Sequence, residues 1–354
     1  SEPRSAFDLS WLRSNRRPRY GQERDRTLRM ADLFCGVGGL TLGALEAGRA
    51  MGIRIDPVFA ADTDPYVEDS YRSNFEPSHF ERARPLEDLL AEELDLPLTT
   101  SERKLSRRIG EIDVLVGGPP CQGHSNLNNH TRRNDPKNLL YERMARFAKV
   151  FEPRHVIIEN VHGALHDRGR VVQRTGAHLS SLGYHVDIAI LHGQLIGLPQ
   201  TRHRMFLVAS KTVQPDISHW EDLHRVDKLR SFDWACEDLP EHGEGVLDKV
   251  TESSEETKRR IDYLFDNDLY ELPNAERPVC HRRKKHTYVS VYGRIRPNQP
   301  APTMTTGFTV MGQGRFVHPT RPRTLTPHEG ARIQFLPDWL GFPEDLLRQD
   351  YRLL

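Results

Sequence analysis

Residues 29 to 48 read RMADLFCGVGGLTLGALEAG, and the parsing of this run decides the fold. Its apolar beginning, Arg29 to Phe34, is short and ends abruptly, which suits a strand. Glycines at 36, 38 and 39 then allow backbone conformations and close approaches that a Cβ forbids. The remainder has helical spacing and stops at Gly48, so the run predicts strand, tight turn and helix. PVFAAD at 57 to 62 is a second strand, and DPYVEDSYRSNF places Val67, Tyr71 and Phe75 on one helical face. The alternation continues through IDVLVGG (112–118), a helical stripe of Leu140, Met144, Phe147 and Phe151, then HVIIEN (155–160), VDIAIL (186–191) and RMFLVAS (204–210). Strands alternating with helices predict an α/β domain over 30–210: a doubly wound, mostly parallel sheet with helices on both faces.

The 354 residues, 37% hydrophobic and 28% charged, are enough for a substantial core and predict two domains. No apolar run approaches the roughly 20 residues of a membrane span. Residues 1–29 are rich in arginine and lack the apolar core of a signal peptide, so they read as a basic extension, a flexible arm. After residue 210 the periodicity is lost, and 211–300 read as a smaller, irregular domain. Regular structure returns within 301–354, where Thr326, Pro327 and Glu329 form a capping box that opens a helix. Cys35, Cys121, Cys236 and Cys280 are scattered and form no CxxC pair, which argues against disulfides and structural zinc and for reduced thiols. Net charge is zero, but residues 237–271 are acidic while 277–296, which contain HRRKKHTY, are basic. Such a dipole presents a basic face to phosphates, or else reflects two solvated segments.

Three short stretches carry chemistry. In DLFCGVGGL (32–40) the glycine turn offers free N–H groups at a helix start, and Asp62 follows about twenty residues later, a spacing that suits the ribose of an adenosine cofactor. A merely tight strand–helix turn reads the same way. GGPPCQGHS (117–125) places Cys121 just past the carboxyl end of a strand, where open α/β sheets bind ligands, with prolines presetting its direction. It is either a nucleophile or a buried structural thiol. IIENV (157–161) ends a further strand with Glu159, a carboxylate costly to bury alone. Gln200, Arg202 and Arg204 in LPQTRHRMF alternate as a strand begins, so period two turns all three one way and a guanidinium can reach the glutamate.

Together these stretches, in this order, resemble the DNA cytosine-5 methyltransferases. The resemblance covers residues 31–209 and about 292–338. DLFCGVGGL looks like the family's cofactor loop, GGPPCQGHS like its Pro-Cys-Gln loop, ENV like its glutamate motif, QTRHR like its Gln-x-Arg-x-Arg motif, and RTLTPHEGARIQFLPD (323–338) like its late helix. It implies a Rossmann-like class I methyltransferase fold with S-adenosylmethionine as cofactor, no metal, and transfer of methyl to carbon 5 of a flipped-out cytosine in duplex DNA. By resemblance Cys121 is the nucleophile, with Glu159, Gln200, Arg202 and Arg204 as its catalytic companions. Phe34, Gly36, Val37, Gly39, Asp62, Thr63, Pro120 and Leu140 line the cofactor site. Gln122, Ser125, Arg282, Arg283, Lys284, Lys285 and Thr303 face DNA, with 211–300 as target-recognition domain. The resemblance further implies a bacterial-type cytoplasmic, nucleoid-associated protein, and leaves open whether it serves a restriction–modification system, another defence system or acts alone.

Two departures from the family stand out. RARPLEDLL (82–90) has Pro85 where an acidic adenine contact is expected, so that contact is unassigned. FPEDLLRQDYRLL ends at Leu354, before the family's last motif, so a second polypeptide supplying it is an option. This leaves two alternatives open: a catalytically incomplete DNA-binding subunit of a split enzyme, and an RNA (tRNA) cytosine-5 methyltransferase.

Overall fold

The computed structural model describes residues 2–20, 26–91, 93–120, 140–166, 169–241, 243–282 and 291–342. In chain order the elements begin α1 (Glu2–Leu12), β1 (Thr27–Leu33), α2 (Gly39–Met51), β2 (Arg54–Asp62), α3 (Val67–Phe75), β3 (His79–Arg82) and α4 (Thr100–Ile109). Then come β4 (Val114–Gly117), α5 (Leu140–Phe151), β5 (His155–Val161), α6 (Val171–Ser181), β6 (His185–His192), α7 (Gly193–Ile196), β7 (Gln200–Thr201) and β8 (His203–Ser210). The last are α8 (Ile217–Leu223), α9 (Phe232–Cys236), α10 (Glu255–Asp266), α11 (Val279–Arg282), β9 (Ala301–Pro302) and α12 (Pro327–Ile333). These elements form two compact units. One holds residues 18–191 and 204–222; the other holds 1–17, 192–203 and 223–354.

The first unit is built on a seven-stranded sheet of order β3-β2-β1-β4-β5-β8-β6. β1 pairs parallel with β2 and β4, and β4 parallel with β5, whereas β8 runs antiparallel to β5. The order grows outward from β1 on one side and then returns to continue from β4 on the other. With right-handed crossovers, that reversal puts the two sets of helices on opposite faces. Alternation along β1 reflects this: Asp32 meets Thr41 of α2, while Leu33 packs in the core with Met144 and Phe147 of α5. Val67, Tyr71 and Phe75 of α3 are all buried, as their spacing predicts. So are Met144, Phe147 and Phe151 of α5. Beneath α5 the fully buried Arg146 makes a bidentate pair with Glu102 of α4 at 2.7 Å for each bond and donates to the carbonyls of Glu93, Leu96 and Pro97. Every face of that guanidinium is thus engaged, which is what makes its burial tolerable.

The second unit departs from two expectations. The arginine-rich start is not a flexible arm: Glu2–Leu12 is a helix whose Leu12 is fully buried with Phe232, Phe316 and Ile333. Arg4 donates to the carbonyls of His224 and Ile196, and Asp8 pairs with Arg230. Arg4 thus serves the fold by donating to backbone carbonyls. Nor is the stretch after residue 210 without regular structure: α9 and α10 lie within it in this unit, and most of α8 lies in the first. In α10, capped by Ser254, Ile261 and Leu264 form a local core with Leu272, Tyr292 and Val317. Charged residues fill the rest of that helix and hide its narrow apolar stripe. The capping box at the start of α12 is as read: Thr326 Oγ1 accepts from the Glu329 amide, and Glu329 accepts from the Thr326 amide.

Candidate active site

The glycine turn after β1 is shaped by three left-handed residues, Phe34 (φ 56°), Gly36 (φ 49°) and Gly38 (φ 88°). For Phe34 that conformation costs about 1 kcal/mol. The turn is held against the end of β2 by Cys35 N to Ala61 O at 3.2 Å and Gly36 N to Asp62 Oδ2 at 2.9 Å. Gly38 precedes α2, and a Cβ there would lie 2.2 Å from the Phe75 ring. At Gly36, by contrast, an added Cβ meets nothing within 4 Å, so this backbone faces open space. Asp62 Oδ1 also accepts from the Asp64 amide at 2.9 Å. Burial raises the Asp62 carboxyl above its usual range, and these amide bonds partly offset the rise. An open backbone concavity beside a carboxylate with lone pairs to spare fits a nucleoside whose hydroxyls donate to Asp62. Of the other expected cofactor residues, Val37 is buried, Thr63 is exposed, and Pro120 and Leu140 are partly buried. Among the described residues no cluster of three His, Cys, Asp or Glu side chains is placed to hold a metal.

Glu159 lies in β5 opposite Phe206, and Arg204 lies in β8 opposite Val161. The antiparallel register makes Glu159 and Arg204 diagonal neighbours on one face. Arg204 Nε sits 2.8 Å from Glu159 Oε1, with both side chains about four-fifths buried (18% and 24% exposed). Burial pulls the Arg204 guanidinium below its ordinary pKa, and the Glu159 charge opposes that shift. The pair borders the exit of β4, because a Cβ at Gly118 would stand 3.5 Å from Glu159 Oε2. Asn160, nearly fully buried, donates from Nδ2 to Pro119 O at 3.1 Å, and its Oδ1 accepts from the Val161 amide. Sequence reasoning passed over Asn160. Its signal was its place between Glu159 and the end of the strand, where a buried amide must find partners. Cys121, Gln122 and Ser125 lie outside the described residues, as do Arg283, Lys284 and Lys285.

Gln200, Arg202 and Arg204 do not share one strand face. Gln200 belongs to the two-residue strand β7, paired parallel with β9, while Arg204 belongs to β8. Between them Arg202 N bonds back to Gln200 O at 2.9 Å, a tight bend that breaks period two. In the second unit, the fully buried Gln200 donates to Ile333 O (2.8 Å) and Gln334 Oε1 (2.9 Å) and accepts from Met304 N (3.1 Å). Those bonds tie β7 to α12 and to the segment after β9. Arg202 reaches the same Gln334 Oε1 at 3.4 Å. Thr303 donates to Thr201 O, and Arg282 ends α11 with its Nε on Arg277 O at 2.6 Å.

Comparison with known proteins gives the family. A family model described as C-5 cytosine-specific DNA methylase matches residues 28–354. The Type II methyltransferase M1.BsuMI of Bacillus subtilis is 44% identical over 347 residues, covering 98% of this chain and 80% of that protein. The Type II methylase M.HgiDII of Herpetosiphon aurantiacus is 30% identical over 325 residues, 90% of this chain and 87% of that one. Among solved structures, a DNA modification methyltransferase encoded in an E. coli prophage superposes with a TM-score of 0.59 at 24% identity, covering 89% and 90% of the two chains. The S. pombe Dnmt2 methyltransferase gives 0.58 at 17% identity, covering 92% and 93%. At those identities the structural likeness speaks for the fold, and the family rests on the sequence matches. The chain belongs to the C-5 cytosine-specific DNA methylases, enzymes that transfer a methyl group to cytosine in DNA.

Proposed function

We propose that this chain methylates carbon 5 of a cytosine extruded from duplex DNA, with Cys121 as nucleophile, Glu159 and Arg204 as the groups that hold the base, and S-adenosylmethionine as methyl donor. The observation that carries the reading is the Glu159–Arg204 pair at 2.8 Å beside the exit of β4, the strand that Cys121 follows by four residues in the sequence. Carbon 5 of cytosine is a weak nucleophile. Addition of the Cys121 thiolate to carbon 6 forms the S–C6 bond, breaks the C5=C6 double bond and leaves electron density on carbon 5. Glu159 hydrogen-bonds N3 and the exocyclic amine, so the ring gains a proton at N3 as the adduct forms and the charge does not build up. Arg204 fixes the carboxylate in that orientation and adds a positive charge. When bound, S-adenosylmethionine supplies an electrophilic methyl on a sulfonium. Solvent water then takes the carbon 5 proton, N3 gives up the proton it gained, the C5=C6 double bond re-forms and Cys121 leaves as thiolate. A stacked base exposes neither face to this geometry, so the cytosine leaves the helix first.

In this reading Phe34, Gly36, Val37, Gly39, Asp62, Thr63, Pro120 and Leu140 hold the cofactor. Gln122, Ser125, Arg282, Arg283, Lys284, Lys285 and Thr303 face DNA. Gln200 and Arg202 support the segment that leads to Thr303. A second polypeptide finds no support in the matches. The names of the relatives, Type II methyltransferases, favour a role in a restriction–modification system, and a protein acting on bacterial DNA would work in the cytoplasm with the nucleoid. Labelled methyl transfer to mixed-sequence duplex DNA and to tRNA tests the reading. Incorporation into duplex that disappears in Cys121→Ala supports it; transfer to tRNA alone, or none with DNA still bound, overturns it.

A further inference from the structure

Asp32, on β1 just ahead of the glycine turn, is a charged residue type with 0% exposure. Its Oδ2 accepts from Thr41 Oγ1 at 2.7 Å, and Thr41 Oγ1 in turn lies 2.7 Å from the Tyr71 hydroxyl. Among the described residues Oδ1, also buried, has no hydrogen-bond partner. Proteins rarely leave a carboxylate oxygen in that condition, and each instance asks for a reason. A structural carboxylate would be cheaper as asparagine, whose amide keeps the Thr41 bond without a buried charge. The reason suggested by its surroundings is electrostatic. The groups facing Asp32 are Thr41 from α2, Tyr71 from α3, Cys35 in the turn and Asp62 at the end of β2. None of them is cationic. Asp62 is the residue whose carboxylate holds the turn through Gly36 N.

Resting on the cofactor reading above, we infer that Asp32 is a positioning and selectivity residue whose buried negative charge favours the cationic cofactor, S-adenosylmethionine, over its neutral-sulfur product, S-adenosylhomocysteine. Methyl transfer turns a sulfonium into a thioether, so one elementary positive charge leaves the cofactor at each turnover. A nearby uncompensated carboxylate in low dielectric is stabilised by the first molecule and not by the second. Burial, opposed by the Thr41 hydrogen bond and reinforced by Asp62, raises the Asp32 carboxyl to about 7. Its charge is therefore present above that pH and absent below it, and preference for the sulfonium follows the same curve. Tyr71, whose own ionisation burial pushes far up, stays neutral and orders Thr41.

The test is calorimetric binding of S-adenosylmethionine and S-adenosylhomocysteine from pH 6 to pH 8.5, without DNA or turnover. In the wild-type protein the affinity ratio rises about tenfold across that range. The ligands' own amino groups also ionise as pH rises; Asp32→Asn retains that contribution, so the difference between the two proteins isolates Asp32. In Asp32→Asn the ratio is lower and nearly flat, while affinity for S-adenosylhomocysteine changes less than threefold. Thr41→Val removes the bond that favours the ionised carboxyl and moves the midpoint to higher pH, a readout that stands even where Asp32→Asn fails to fold. Coincident ratio curves for wild type and Asp32→Asn, or an unmoved midpoint in Thr41→Val, overturn the inference and leave the cofactor reading intact. Failure of both ligands to bind the wild type overturns both.

Discussion

Glu159 and Arg204 meet because β5 and β8 run antiparallel with Glu159 opposite Phe206, which brings a residue two positions away diagonally across the ladder. The carboxylate and the guanidinium were legible in ENV and QTRHR, and so was their proximity. What could not be read was the break between Gln200 and Arg204, since a bend made by one backbone bond leaves no mark on residue type. Asn160 was hidden for a related reason: its value lies in a long-range bond to Pro119 O. If Glu159 holds the base, Glu159→Gln lowers kcat by about 10²–10⁴-fold, with dissociation constants for cofactor and DNA shifted only a few-fold. Equal losses in DNA binding would assign Glu159 to docking. Asp62 holds the glycine turn through Gly36 N. Asp62→Ala should weaken S-adenosylmethionine at least tenfold in a binding titration, with DNA affinity unchanged.

Among elements, the strands with apolar runs were plain in the sequence. β3, His79–Arg82, was not, being four residues at the sheet edge with three of its positions charged or titratable. α10 was obscured by its charges. Helix ends proved more legible, because a cap is local chemistry: Thr326 and Glu329 close α12 as the residues dictate. Glu329 has a second role. Burial alone would raise its carboxyl, but bonds from Arg323 and His318 prevail and hold it at about 2, against 4.5 ordinarily. Glu102, buried but bonded by Arg146, is likewise at about 2. A depressed carboxyl stabilises the folded state fully above its unfolded value and loses that contribution as pH falls through its folded value. Each is worth on the order of 3 kcal/mol at neutral pH. Stability should therefore be flat in these two terms above pH 5 and fall steeply from about 4.5 toward 2. Urea titrations of wild type and Glu329→Gln check this: the variant starts less stable at pH 7 and shows a shallower acid slope.

At the scale of the whole molecule, two compact units divide the work. The first contains the sheet, the glycine turn and the Glu159–Arg204 pair; the second contains Thr303, Arg282 and the segment bearing the other three basic residues. The sequence made the sheet unit legible because α/β alternation has a strong period. The second unit is assembled from distant pieces, 1–17, 192–203 and 223–354, and its core joins Leu12 to Ile333. No local pattern announces that closure, so α1 read as an arm. Truncating Leu12→Ala should cost about 2–5 kcal/mol, seen as a lower melting temperature. Charge tells the other half of the story. Net charge is zero, so phosphate binding depends on local clusters. Replacing Arg282, Arg283, Lys284 and Lys285 with alanine should reduce the salt slope of log K by up to about 0.9 for each phosphate no longer neutralised, leaving cofactor affinity unchanged.

The central claim is that Cys121 attacks carbon 6 of a cytosine in duplex DNA. It is tested most directly with a duplex carrying 5-fluorocytosine, in which the carbon 5 position has no proton to lose and the adduct cannot resolve. Incubated with S-adenosylmethionine, the wild-type chain should form a denaturant-resistant protein–DNA complex whose mass includes the methylated strand and whose cross-linked peptide contains Cys121, with no complex from Cys121→Ala. A complex that persists in Cys121→Ala, or methyl transfer to ordinary duplex by that variant, would contradict the account.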